Sequence, residues 1–263
     1  MSDITNTYQL TLDDVTLDDI GKVVCSDRSV YATKTAAVSA SKTVVGMIAH
    51  VQGPNNNYQV DASSTSYRGL VISPTEFDGI FCTQGSKENK DYESCLDESR
   101  LSCKVGDWNR YNKNISGVSQ TNLYKQGKSG HTHGLVTTMV AYNTSFPHPS
   151  NTSEWFIPTG SQWSMMLYDL ENKAGQNIGS SEEIVYTSTS VVNNEKFTGS
   201  SMNSIFTAAG IDIIKSDGLY WSTSEIILNS GETSLMYVYA SQYGCYKAYS
   251  KKSNLTTRLV FAF

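Results

Sequence analysis

Few side chains in this chain have the type and spacing for covalent or metal chemistry. His131 and His133 are two apart, so in an extended segment both imidazoles lie on one side and could hold a metal ion. No third ligand stands at a defined spacing from them, and they read as loop histidines ahead of a strand. His148, between Pro147 and Pro149, also reads as a loop residue. The five cysteines, Cys25, Cys82, Cys95, Cys103 and Cys245, form no C-x-x-C pair and no zinc spacing. Cys82, Cys95 and Cys103 are near enough in sequence to bridge locally, but the set reads as reduced thiols. Nucleophile-elbow, H-E-x-x-H, P-loop and dinucleotide patterns are all missing. The expectation is a protein without enzymatic activity, cofactor or metal.

Recognition chemistry is better represented. The 263 residues include sixteen tyrosines, and six of them fall between Tyr220 and Tyr249. Tyr237, Tyr239, Tyr243, Tyr246 and Tyr249 are interleaved with Ser234, Ser241, Gln242, Ser250 and Asn254. Tyrosine offers a large contact area at low rotamer entropy, and small polar neighbours adapt their hydrogen bonds. On a strand Tyr237 and Tyr239 share one face, with Tyr243 at the turn that follows. Against this stands the ordinary use of tyrosine as a strand former packed on a core.

Charge and hydropathy narrow the partners. Only 17% of residues are charged and the net charge is −5, so the clustered Lys and Arg of a nucleic-acid footprint are missing. No window approaches the ~18 apolar residues of a membrane span. The N-terminus is polar and acidic, with Asp13-Asp14 and Asp18-Asp19, and lacks the basic and apolar regions of a secretory signal. Residues 1–20 read as a polar arm able to dock the protein to a larger assembly.

Residues 21–263 read as one domain that must position these groups. Lys22 to Cys25 and Ser29 to Tyr31 are short strands around a Ser26-Asp27-Arg28 turn. Thr33 can cap a short helix through Ser39. The apolar, β-branched run Thr43 to Val51 reads as a buried strand, and Tyr67 to Ser73 as another. Residues 74–130 lose periodicity and read as a surface insertion, with a helix across Glu93 to Leu101. Gly134 to Tyr142 looks like a strand. Thr159 and Gln162 form a capping box, and Trp163, Met166, Leu167 and Leu170 make one helical stripe. A second helix spans about Ser200 to Ala209 and stops at Gly210. Strands at Leu219 to Thr223, Leu235 to Ser241, Cys245 to Tyr249 and Thr257 to Phe263 close the chain. The expected class is α+β, with two main helices and an antiparallel C-terminal sheet.

Several of these residues recur in a fixed order. They are Trp155, Pro158 and Trp163; then Gly218 to Glu225 (GLYWSTSE); then Arg258 to Phe263 (RLVFAF). Near the other end stand Gly21, Val23, Asp27, Tyr31, Ala36, Ala37, Ile48, Val51, Gly69 and Leu70. Together the set resembles the C-type-lectin-like domains of bacterial surface and phage proteins, including the variable proteins of diversity-generating retroelements. The likeness covers about two-thirds of the chain and leaves out residues 74–130. Arg28 stands where that pattern has a turn Gly, His50 where it has Tyr, and Leu259 where Pro or Ala is common.

The resemblance implies a C-type-lectin-like fold and a diversified, exposed last stretch. It nominates Ile227, Asn229, Glu232, Tyr239, Ser241, Tyr243, Tyr246 and Lys247 as ligand-binding, beside Tyr237 and Tyr249 from the tyrosine pattern. Formylglycine-generating enzymes share this fold but use paired C-terminal cysteines, and only Cys245 lies there. The calcium triplets of true C-type lectins are missing, and Glu225 and Glu232 are the only acids after Tyr220. The expectation is therefore a phage receptor-binding or tail-tip protein on a virion, contacting a host cell-surface protein or glycan. The alternative is a bacterial cell-surface or fimbrial-tip adhesin. Residues 1–20 would meet other virion or pilus subunits in either case, and an oligomer is compatible with both. Arg258 is expected to be buried and structural rather than a ligand contact.

Overall fold

A computed structural model describes residues 9–53, 59–81, 103–104, 115–126, 134–175, 199–215, 218–227, 233–239, 245–249 and 254–263. Of 103–104, 199–200, 225–227, 233–239 and 245–249 it describes the backbone.

The apolar run near residue 45 forms β3, Val44–Val51, buried from Val45 onward. It is the middle of a sheet ordered β11-β4-β3-β1-β2. The partners are β1 (Val23–Cys25), β2 (Val30–Tyr31), β4 (Gly69–Ile72) and β11 (Val260–Ala262), every neighbour antiparallel. The β1–β2 turn bends at Arg28, whose φ of 73° is the left-handed conformation that favours glycine. Its guanidinium is held by the Ser150 carbonyl and by Asp13 at 2.6 Å. Gly69 is required for a different reason: a Cβ there would meet Phe263 Cζ at 2.3 Å and the His50 carbonyl at 2.5 Å.

The second sheet runs β5-β10-β7-β8-β9, with β6 (Cys103–Lys104) also beside β7. Its members are β5 (Phe77–Ile80), β7 (Leu219–Ile227), β8 (Thr233–Tyr239), β9 (Cys245–Tyr249) and β10 (Asn254–Thr257). The expected terminal strand Thr257 to Phe263 is divided. Residues up to Thr257 belong to this sheet, and Val260 onward belong to the first. The C-terminal sheet is also not purely antiparallel, because β10 and β6 both pair with β7 in parallel.

Five α-helices lie among the described residues: α1 (Lys34–Ser39), α2 (Gly117–Gln126), α3 (Gly134–Ser145), α4 (Gly160–Lys173) and α5 (Gly199–Ala209). Three follow from their sequence signals. Thr33 accepts from the Ala36 amide at 3.1 Å. Thr159 and Gln162 exchange bonds at 3.2 and 2.9 Å, as a capping box does. α5 ends at Gly210, with φ +77°. The stretch Gly134 to Tyr142 is helical, not a strand. Its β-branched Val and Thr content suggests a strand, but Leu135, Val136, Met139 and Tyr142 are buried at helical spacing, and that packing prevails.

Two further expectations change. The N-terminal residues described are not a free arm: Leu12, Val15 and Ile20 are core residues, and Leu12 donates to the Arg28 carbonyl at 3.0 Å. A Thr16–Asp19 capping box fixes the short 3-10 turn Leu17–Asp19. Residues 1–8 lie outside the described residues, as does the helix expected at Glu93 to Leu101. The described parts of 74–130 are likewise no surface insertion. β5 pairs with β10 over four residues, and Phe81 and Tyr124 are core residues in edge contact at 4.8 Å.

Phe81→Ala is expected to lower the free energy of unfolding by about 3–5 kcal/mol, the cost of emptying a core aromatic site. Chemical denaturation measures it. A loss below about 0.5 kcal/mol would return this stretch to the surface.

Candidate functional site

The tyrosine-rich strands form one end of the second sheet. β7 and β8 pair antiparallel, and β8 and β9 do the same. Tyr237 stands across from Trp221 on one side and Lys247 on the other. Tyr239 is opposite Leu219 and Cys245, and Tyr249 is opposite Leu235. Residues directly across from one another lie on one face. The register therefore groups Tyr237, Tyr239, Lys247 and Tyr249, and places Tyr246 with Val238 on the other face.

The remaining nominees divide differently. Ile227 ends β7, opposite Thr233. Asn229 and Glu232 fall between β7 and β8, and Ser241 and Tyr243 between β8 and β9; all four lie outside the described residues. The two connections leave opposite ends of β8, roughly 20 Å apart at ~3.3 Å per residue. The ten nominated residues thus do not make one loop cluster. What the structure brings together is the strand set on β8 and β9.

The frame beneath these strands is built from the motif residues. Trp221 donates its indole N–H to the Gly79 carbonyl at 3.1 Å and stacks edge-on to Phe81 at 5.9 Å. Trp163 donates to the Trp221 carbonyl at 3.2 Å, its ring 5.3 Å from Tyr220. Ser222, Thr223 and Ser224 are fully buried. Ser224 accepts from the Gly160 amide at 3.1 Å, Thr223 donates its amide to Pro158, and Tyr124 donates to the Thr223 carbonyl. The pairing of β7 with β8 slips between Trp221 and Glu225, where these buried bonds compete with the ladder. Tyr220 and Trp221 are adjacent and both buried, so both faces of β7 are covered at that level.

Behind Tyr220 is a charged cluster that spacing did not reveal. Tyr220 donates its hydroxyl to Glu76 and accepts the Lys215 amide at 2.8 Å. Glu76 pairs with Lys215 at 3.1 Å and lies 3.7 Å from Arg258. Arg258 is fully buried and donates to the carbonyls of Ser73, Asp212 and Ile213 at 2.9, 2.6 and 2.9 Å. Its guanidinium sits 5.3 Å from the Phe206 ring. Burial pulls its pKa down, opposed by Glu76, Tyr220 and Asp212, yet arginine stays charged in proteins. Burial, then the Glu76 bond and charge, push the Tyr220 phenol far above its usual range. Every strong contact is internal, so this cluster holds structure and leaves no hand for a ligand, as expected of Arg258.

Other titratable groups are accounted for in the same way. His50 Nδ1 meets Asp169 Oδ2 at 2.8 Å, and Asp169 also accepts the Val51 amide at 3.3 Å, which ties α4 to β3. His148 bonds to Pro149 and Thr152, a local loop role. His131 and His133 lie outside the described residues. Among the described residues no group of three His, Cys, Asp or Glu side chains could hold a metal, and no helix is long and apolar enough to cross a membrane.

No protein-family model matches the sequence, and no curated protein matches it. Among solved structures, it is similar to a fimbrial protein from Bacteroides ovatus, with 19% sequence identity and a TM-score of 0.56. The match covers 93% of this chain and 48% of that one, so the chain spans about half the length of the fimbrial protein. At this identity the likeness establishes a shared fold. The fold class is α+β, with the helices set against largely antiparallel sheets.

Arg258→Met is expected to cost about 3 kcal/mol or more, because the carbonyls of Ser73, Asp212 and Ile213 lose their donor and Glu76 loses one of its two cations. Adding Glu76→Gln is expected to return part of that loss. Unfolding curves of the single and double variants test the coupling.

Proposed function

We propose that this chain is a non-enzymatic recognition module of a bacterial cell surface, an adhesin or fimbrial-tip subunit. Its binding face is centred on β8 and β9. The observation that carries the reading is the register of those strands. It sets Tyr237, Tyr239, Lys247 and Tyr249 on one face at the end of a sheet whose base is fully committed to packing. Aromatic anchors with adaptable polar neighbours are the composition that such faces use.

The fold shared with a fimbrial protein favours the cell surface over the virion as the setting. The ordered motif residues support a C-type-lectin-like domain: Trp155, Trp163, Tyr220, Trp221, Arg258 and Phe261 are all buried and form its frame. In this reading the ligand is a protein or glycan bound without calcium. The segments around Asn229, Glu232, Ser241 and Tyr243 are the positions free to vary, and contacts with other pilus subunits lie elsewhere.

The test replaces Tyr237, Tyr239 and Tyr249, which the register sets on one face, together by alanine. Labelled protein is then applied to epithelial cells, mucin and bacterial cells. Wild-type binding to one of these should fall at least tenfold, with the melting temperature within a few degrees of the parent. Undiminished binding by a folded triple variant overturns the proposed face. Labelling intact producing cells with an antibody to the chain checks the location separately; signal confined to phage particles would move the module to a virion.

A further inference from the structure

Glu171 has no part in the recognition reading, and its position is costly. It lies near the end of α4, fully buried, and neither carboxyl oxygen has a hydrogen-bond partner among the described residues. A charged carboxylate there forgoes hydration without compensation. Asp169, two residues earlier, is engaged by His50 and Val51 on β3. Residues two apart on a helix are roughly 200° apart around its axis. Glu171 therefore faces away from β3, toward α5, which packs on α4.

Among the described residues no charge relieves it. α5 carries no titratable side chain. On the other elements around α4, the titratable residues are His50 on β3, Tyr220 and Glu225 on β7, Tyr237 and Tyr239 on β8, and Asp18 and Asp19 on the 3-10 turn. On α4 itself, Lys173 donates to the Asp18 carbonyl at 2.6 Å, and Tyr168 is the remaining titratable residue besides Asp169. Burial pushes the Glu171 carboxyl up to about 7. The Met202 amide, in the first turn of α5, is the one described group that opposes this, and it does not reach hydrogen-bonding geometry with either oxygen.

α5 is fastened unequally along its length. From its middle onward, Asn203 bridges the amide and carbonyl of Ile214 at 2.9 Å each, and Phe206 lies under Arg258. Toward its N-terminal end it meets α4 on the side that carries Glu171. We propose that Glu171 is a protonation latch. The neutral acid keeps the first turn of α5 docked on α4, and loss of the proton releases that end while the Arg258 end stays fixed.

The direction follows from linkage. The docked state holds the proton to higher pH than the released state, where the carboxyl returns to its ordinary value of 4.5. Docking is therefore strongest below that value, weakens as pH rises toward about 7, and levels off above it. The test is hydrogen exchange of peptides covering 199–206 in the full chain at pH 6 and pH 8, corrected for intrinsic rates. The opening constant should rise about tenfold in the wild type. It should change less than twofold in Glu171→Gln and in Glu171→Leu, the second variant being apolar and so safe against a buried unpaired amide. Peptides from β3 should show no such response. A tenfold rise in both variants, or none in the wild type, overturns the latch. So does a Glu171 carboxyl resonance that titrates in the ordinary carboxylate range while α5 stays protected.

Discussion

A buried guanidinium must find acceptors, because the cost of stripping water from it is several kcal/mol. Arg258 finds them in three backbone carbonyls drawn from two distant stretches, Ser73 and the pair Asp212 and Ile213. That requirement organises the chain. Ser73 follows β4 of the first sheet, and it also exchanges bonds with Leu259 through its amide and its hydroxyl. Asp212 and Ile213 follow α5. Arg258 itself is the step between β10 in one sheet and β11 in the other. One side chain thus fixes where the chain leaves the second sheet, where it enters the first, and where α5 must end. Its Nε stays without a partner, so the site is held by the fork of Nη donors and by Glu76 rather than by complete satisfaction.

A second polar junction does similar work under α4. Asp61 is fully buried and accepts from the amides of Ser63 and Val118 and from the Gln162 side chain, at 2.9, 3.0 and 2.9 Å. Val118 lies in the first turn of α2, where a carboxylate complements the unpaired amides and the dipole. Gln162 is already the return partner of the Thr159 capping box. The starts of two helices therefore converge on one carboxylate. The approach is close enough that a Cβ at Gly117 would stand 2.2 Å from Gln162 Oε1, so α2 can begin there only with glycine.

Local signals and long-range ones were unequally legible in the sequence. The capping box at Thr159, the Thr33 cap, the stop at Gly210 and the apolar run of β3 depend on neighbours within a few residues, and each is where the pattern places it. Arg28 was legible as a departure, and its left-handed backbone explains why a glycine is the common choice at that turn. The helix at 134–145 was not legible, because Val136, Thr137, Thr138 and Val140 favour a strand until tertiary packing decides. The division of the last strand was hidden for another reason. Nothing local to Arg258 and Leu259 says that the residues before and after them belong to different sheets. The same holds for β5, whose four residues alternate half-buried with exposed and gain their meaning from pairing with β10.

The split between frame and face follows from these constraints. Trp163, Trp221 and the buried Ser222, Thr223 and Ser224 are spent on holding β7 between α4 and the Phe81 side. A strand gripped on both faces cannot also offer a surface. β9 is different: in the sheet order it stands two strands out from β7 and pairs on one side with β8. The bonds that grip β7 therefore lie inside the sheet, and β9 ends its strand order. In the proposed reading, substitutions on β8 and β9 alter what is bound while the bonds at β7 keep the fold, and that is the physical condition a variable recognition face must meet.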